Sequence, residues 1–100
     1  MIFITSDKEF ITNDISIIYF YSENRNAIVN KTMLSMLDVV EHDFNSKILC
    51  INADWFDNLI KRCNIINVPT LLFYKNGREI SRITNIPTLE NIKNSLNSDI

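Results

Sequence analysis

The stretch Val-Pro-Thr-Leu-Leu-Phe-Tyr-Lys-Asn-Gly, from Val68 to Gly77, constrains this chain more tightly than any other. A helix cannot run through Val68-Pro69-Thr70, because the proline ring removes a backbone donor and drives the preceding residue out of the α region. Thr70 to Tyr74 is apolar enough to be a buried strand. Asn76-Gly77 then supplies two residues that accept positive φ, as a two-residue hairpin turn demands, and Glu79 to Ile83 alternates polar and apolar as a returning strand does. The second half of the chain is therefore built on a hairpin entered through a proline turn.

The residues before it read as alternating strands and helices. Met1 to Thr5 is a short first strand, and Ser6-x-x-Glu9 has the spacing of a capping box, opening a short helix that ends near Ile11. Ser16 to Tyr21 is β-branched and aromatic without alternation, the pattern of a strand covered on both faces. From Ala27 to Phe44 the residues Met33, Met36, Leu37, Val40 and Phe44 recur at helical spacing and predict the longest helix. Ser46 or Lys47 to Asn52 is a second continuously apolar strand. A short helix follows from about Asp57 to Cys63, with an acidic start and Lys61-Arg62 at its end, and Asn64 or Asn67 takes the left-handed turn beyond it. Pro87-Thr88 opens a last helix with Leu89, Ile92 and Leu96 on one face, and Ser98 to Ile100 fray. This order implies parallel crossovers with an antiparallel addition, a three-layer α/β domain.

An apolar residue, Pro69, Thr70, an apolar strand and Lys75-Asn76-Gly77 together resemble the second half of a thioredoxin-like domain. From Ile51 to Gly77 the chain can be laid against that pattern without a gap, with Asn52 and Asp54 after the third strand and Ile65 ahead of Val68. The resemblance implies a mixed five-stranded sheet in the order 1-3-2-4-5, flanked by about four helices, in one domain spanning residues 1–100. It also implies that Pro69 is cis and borders the site where the family holds extended peptides.

Thioredoxins carry Trp-Cys-Gly-Pro-Cys between the second strand and the second helix, where the helix N-terminus favours a thiolate. Here the corresponding loop is Ser22-Glu23-Asn24-Arg25-Asn26-Ala27-Ile28-Val29-Asn30. Aligned on Phe20, the two family cysteines fall at Arg25 and Ile28; aligned on Phe44, they fall at Ala27 and Asn30. Neither register contains a cysteine. Tyr19 stands where the family buries an aspartate, Asn24 where it has the tryptophan, and Thr84 where it has a glycine. Dithiol exchange of the family type is therefore expected to be absent, with Asn24, Arg25, Asn26, Ala27 and Ile28 forming a degenerate active-site loop.

Of the two cysteines, Cys50 lies inside the run Ile48 to Ile51 and reads as a small hydrophobe. Cys63, at the end of the short helix, is expected to pack; the alternative is a partly exposed, redox-sensitive thiol whose thiolate Lys61 and Arg62 would favour, although the helix C-terminus opposes it. Their spacing matches no zinc or C-x-x-C pattern. His42, flanked by Glu41 and Asp43, reads as a solvated helix residue, and no metal or cofactor is expected. Trp55 is expected to pack against the short helix.

A net charge of −2 with scattered basic residues provides no field suited to nucleic acid. No apolar run approaches the ~20 residues of a membrane span, and Met1 to Phe10 lacks the pattern of a signal peptide, so no membrane partner and a cytoplasmic location are expected. The leading functional expectation is a redox-inactive adaptor that binds protein or an extended peptide at Val68, Pro69, Thr70, Ile83, Thr84 and Asn85. Arg25 and the start of the long helix would favour a polar or acidic ligand there. The alternatives are a divergent thiol-disulfide oxidoreductase or redox sensor using Cys63, and a structural subunit of a larger assembly. Oligomeric state is left open.

Overall fold

Ile17–Tyr21 (β2) lies in the middle of the sheet with all five residues buried. The computed structural model describes residues 1–25 and 27–97. β2 is flanked on one side by Ile48–Asn52 (β3), which pairs with it in parallel, and β3 in turn carries the short edge strand Ile2–Phe3 (β1), also parallel. On the other side Thr70–Lys75 (β4) pairs antiparallel with β2, and Arg78–Ile83 (β5) completes the hairpin. The order is β1-β3-β2-β4-β5, a mixed five-stranded sheet.

Strand periodicity divides the core into two halves. Ile17, Tyr19 and Tyr21 of β2, Ile48 and Cys50 of β3, and Leu71 and Phe73 of β4 face one side, where they meet Met33, Leu37 and Val40 of helix α1 (Ala27–Phe44) and Ile92 of helix α3 (Leu89–Leu96). Ile18, Phe20, Leu49, Ile51 and Leu72 face the other side and pack on Phe56, Leu59 and Cys63 around helix α2 (Asp57–Arg62). Successive side chains of a strand point to opposite faces, so an unbroken apolar run is what a strand covered on both sides requires. Burying each Leu or Ile is worth roughly 1.5–3 kcal/mol relative to exposure.

The capping box at Ser6 forms, with Glu9 Oε1 accepting from the backbone N–H of Ser6, yet the segment it starts is a 3-10 turn, Asp7–Glu9. It buries none of its residues, so no packing rewards extension to Ile11. The flanking helices are thus three α-helices and one 3-10 turn among the described residues. Beyond α2, Asn64 rather than Asn67 adopts the left-handed conformation, φ 55°. In the β4–β5 turn both Asn76 (φ 54°) and Gly77 (φ 78°) have positive φ, the geometry that matches hairpin twist. A bulge interrupts this pair: Phe73 opposes Ser81 and Tyr74 opposes Glu79, leaving Ile80 as the extra residue. Thr88 is the N-cap of α3, its hydroxyl accepting from Asn91 N while Asn91 Oδ1 accepts from Thr88 N. The helix therefore begins at Leu89, two residues after Pro87. The expected fraying of Ser98 to Ile100 lies outside the described residues. No helix among the described residues is long and apolar enough to cross a membrane.

Candidate functional site

The β2–α1 connection is held by a carboxylate from the next loop. Ser22 Oγ donates to Asp54 Oδ1 at 2.8 Å, and the backbone N–H groups of Glu23 and Asn24 donate to Oδ2 at 3.2 and 3.3 Å. Ser22 Oγ in turn accepts from Arg25 N at 3.2 Å. Asp54 is itself set by Asn52, whose Oδ1 accepts from Asp54 N at 2.9 Å. The Ser22 hydroxyl, the Asn24 and Glu23 amides and the nearby Arg25 charge together hold the Asp54 carboxyl below its ordinary range. In the sequence Asn52 and Asp54 stand out only as part of the family pattern. An Asn-x-Asp immediately after a buried strand is the signal that could have found this clamp, since both side chains commonly hydrogen-bond nearby backbone in turns.

Beneath the loop lies Tyr19, which has no exposed surface. Its hydroxyl donates to Asn30 Oδ1 at 2.7 Å, and its ring stacks on Tyr21 with centroids 5.3 Å apart. Burial pushes the Tyr19 phenol well above its ordinary range and Tyr21 up to about 12. Because α1 starts at Ala27, the helix start and the position one turn in are Ala27 and Asn30. That phase favours the register aligned on Phe44 over the one that selects Arg25 and Ile28. Asn26 lies outside the described residues.

The proline turn meets both neighbouring segments. The Val68–Pro69 peptide bond is cis. Pro69 lines a narrow gap with Tyr19, Val29 and Asn30. Thr70 Oγ1 donates to Asn67 O at 2.6 Å, and Asn67 Nδ2 donates to Thr84 O at 2.6 Å. Arg25 shares a recess with Asn67 and Val68. The segments around Arg25, Val68–Thr70 and Ile83–Asn85 are thereby brought to one end of the sheet. Their accessibility differs: Asn24, Arg25, Ala27, Ile28, Thr84 and Asn85 are exposed, Val68 and Ile83 half-buried, and Pro69 and Thr70 buried. Thr70 is a hydrogen-bonded support of the turn, so its side chain does not belong to a docking face.

Cys63 packs, in line with the first reading of it: it is 9 % exposed at the C-cap of α2. Arg82 Nη2 and Nη1 donate to the carbonyls of Cys63 and Asn64 while Glu79 holds the same guanidinium, tying β5 over the end of the helix. Burial raises the Cys63 thiol, outweighing the opposite pull of Arg62. Cys50 is buried on the α1 side and pushed up to about 12 by burial. The sheet separates the two thiols, since Cys63 packs with the opposite half of the core. Trp55, expected to pack, is 68 % exposed. Phe56, its neighbour, takes the buried place beside Leu59 instead. His42 projects to solvent at the end of α1.

Carboxylates lie near Arg25. Asp57 lines the same recess, and Asp54 feels the guanidinium directly. Glu23 is exposed in the same loop. Arg25 and Asp57 thus share one recess, and the Arg25 charge helps to hold Asp54 ionised.

Three solved structures share this architecture. A point mutant of a thioredoxin from Halobacterium salinarum has a TM-score of 0.83 at 15 % identity, covering 97 % of this chain and 88 % of that one. Mitochondrial thioredoxin 3 from Saccharomyces cerevisiae has a TM-score of 0.82 at 20 % identity over 97 % and 93 % of the two chains. Oxidised thioredoxin from Plasmodium falciparum has 0.83 at 19 % identity over 97 % and 95 %. No family model matches the chain, and no curated protein does. At these identities the likeness establishes a thioredoxin-like fold.

Proposed function

From this thioredoxin-like fold we propose a protein-binding module without dithiol chemistry, which holds an extended segment of a partner protein at the surface formed by residues 23–25, 27–28, 66–69 and 83–85. One observation carries the proposal. At the start of α1, where dithiol chemistry in this fold resides, the chain has Ala27 and Asn30, while its two thiols are buried on opposite sides of the sheet. A thiol held neutral by burial is a poor nucleophile. The exposed residues Asn67, Thr84 and Asn85 beside half-buried Val68 and Ile83 suit a peptide held in an extended conformation.

The test has two arms. In a dithiothreitol-coupled assay with a small disulfide substrate, the protein should give no turnover above the dithiothreitol background. Turnover abolished by Cys63→Ser would falsify the proposal in favour of a thiol oxidoreductase. Amide chemical shifts recorded during titration with extended peptides should change at residues 23–25, 27–28, 66–70 and 83–85. Changes confined to the exposed face of α3 would transfer the interface to that helix and point to a structural subunit.

A further inference from the structure

Two hollows adjoin beside the proline turn. One is the recess of 110 Å³ that Arg25 shares with Asn67 and Val68. The other is an open cleft of 410 Å³ between the end of β5 and α3, lined by Ile83, Thr84, Asn85, Asn91 and Asn94 among others. Asn67, on the wall of the first, donates from Nδ2 to the carbonyl of Thr84, on the wall of the second, at 2.6 Å. This exposed bond therefore lies where the two hollows meet.

Both backbones have anchors of their own. The Asn67 carbonyl accepts from Thr70 Oγ1 at 2.6 Å, and Thr70 is buried, so the turn is held from beneath. Thr84 directly follows Ile83, which pairs with Leu71 at the end of the β4–β5 ladder. Beyond that last pair, the Asn67 side chain bridges the two segments. What it presents to Thr84 is an amide N–H on a main-chain carbonyl, the same donor and acceptor that pair neighbouring strands. Asn67 and Thr84 are both exposed. A neutral hydrogen bond open to water is worth little net, because water replaces either partner.

Resting on the protein-binding reading above, we propose that Asn67 is an autoinhibitory strap whose amide occupies the Thr84 carbonyl until a main-chain N–H of the partner segment takes its place. The incoming amide supplies a donor of the same chemistry, the Asn67 side chain swings aside, and recess and cleft join into one groove. Recognition at this point is of backbone and not of charge: the segment must be extended and must bring an N–H to Thr84. The closed strap lowers the apparent affinity by the fraction of molecules in which it is open.

The test titrates the isotope-labelled full chain, Asn67→Ala and Asn67→Asp with the synthetic peptide acetyl-Gly-Ser-Val-Ile-Val-Ser-Gly-amide, reading Kd from amide shifts. Both variants remove the donor, and both should bind the peptide about two- to fivefold more tightly than the parent chain. The same peptide is then made with each of its central amides replaced in turn by an ester, which deletes one N–H. One of these should bind Asn67→Ala about threefold or more weakly than the all-amide peptide, with a smaller shift at the Asn85 amide, which is bonded to the Thr84 carbonyl carbon. Affinity unchanged or weakened in both variants, or esters that all bind as the amide does, would overturn the strap. So would a fall of more than about 5 °C in the melting temperature of both variants, since the bond would then be structural. If in any of these cases amides at 66–70 and 83–85 of the parent chain still respond to the peptide, the protein-binding reading stands without the strap. If no chain responds there, both are overturned.

Discussion

The hydroxyl of Tyr19 donates to Asn30 Oδ1 across 2.7 Å, joining the central strand to the first turn of α1. The pair lines the narrow gap that Pro69 borders. Here it is a neutral hydrogen bond between a fully buried ring and a half-buried amide. Its chemistry is support: neither partner is poised to gain or lose a proton near neutral pH.

Tyr19→Phe should lower stability by about 1–2 kcal/mol, because the Asn30 oxygen loses its donor while the ring keeps its packing. Tyr19→Asp should cost more, since it leaves a cavity and buries a carboxyl. That carboxyl would have its folded-state pKa raised above the unfolded value near 4, so the variant should be least impaired at acid pH and lose stability as pH rises through that window. Urea denaturation at pH 4 and pH 7 measures both effects; a Tyr19→Asp variant as stable as the parent at pH 7 would show that the ring is not needed there.

Asp54→Asn should release the β2–α1 loop while leaving the sheet intact. Hydrogen exchange at Glu23 and Asn24 should accelerate, because their amides donate to the Asp54 carboxylate. Asp54 is held below its ordinary range in the folded chain. Its contribution is therefore present above the unfolded pKa and lost as pH falls through the lower folded value. Unchanged exchange in the variant would mean the loop is held by other contacts.

Thr70→Val should cost about 0.5–1.5 kcal/mol through loss of the bond to Asn67 O. Thr70→Arg should be far worse, because the site is 1 % exposed and offers a guanidinium no carboxylate. Thermal melting of the two variants tests this; a stable arginine variant would show that the turn opens readily.

Both thiols should react slowly with iodoacetamide in the native chain and quickly in urea, since each is buried and each is shifted upward by burial. Native alkylation of Cys63 at the rate of a free thiol would return it to consideration as a reactive residue.

Ile66→Ser and Trp55→Ala should each change stability by no more than about 0.5 kcal/mol, as befits side chains that are 94 and 68 % exposed. A large loss would mean that these residues belong to the core of the fold and not to a binding face.

Local rules carried much of the architecture. Asn76-Gly77 named the hairpin turn because few other residue pairs accept two positive φ angles. Ser16 to Tyr21 named a doubly covered strand because every residue in it is apolar or nearly so. The absence of a dithiol at the start of the long helix needed no coordinates at all. The remainder depended on which neighbours arrive from elsewhere in the chain. Trp55 and Phe56 are adjacent aromatics that local pattern cannot rank, and the approach of Leu59 and the underside of the sheet gave Phe56 the buried place. Cys63 is covered because Arg82, nineteen residues away, bridges Glu79 to the end of α2. Thr70 left the accessible surface through its bond to Asn67. Asp54 and Asp57 are distant from Arg25 in sequence, and only the folding of the β3–α2 connection against the β2–α1 loop brings their charge near it.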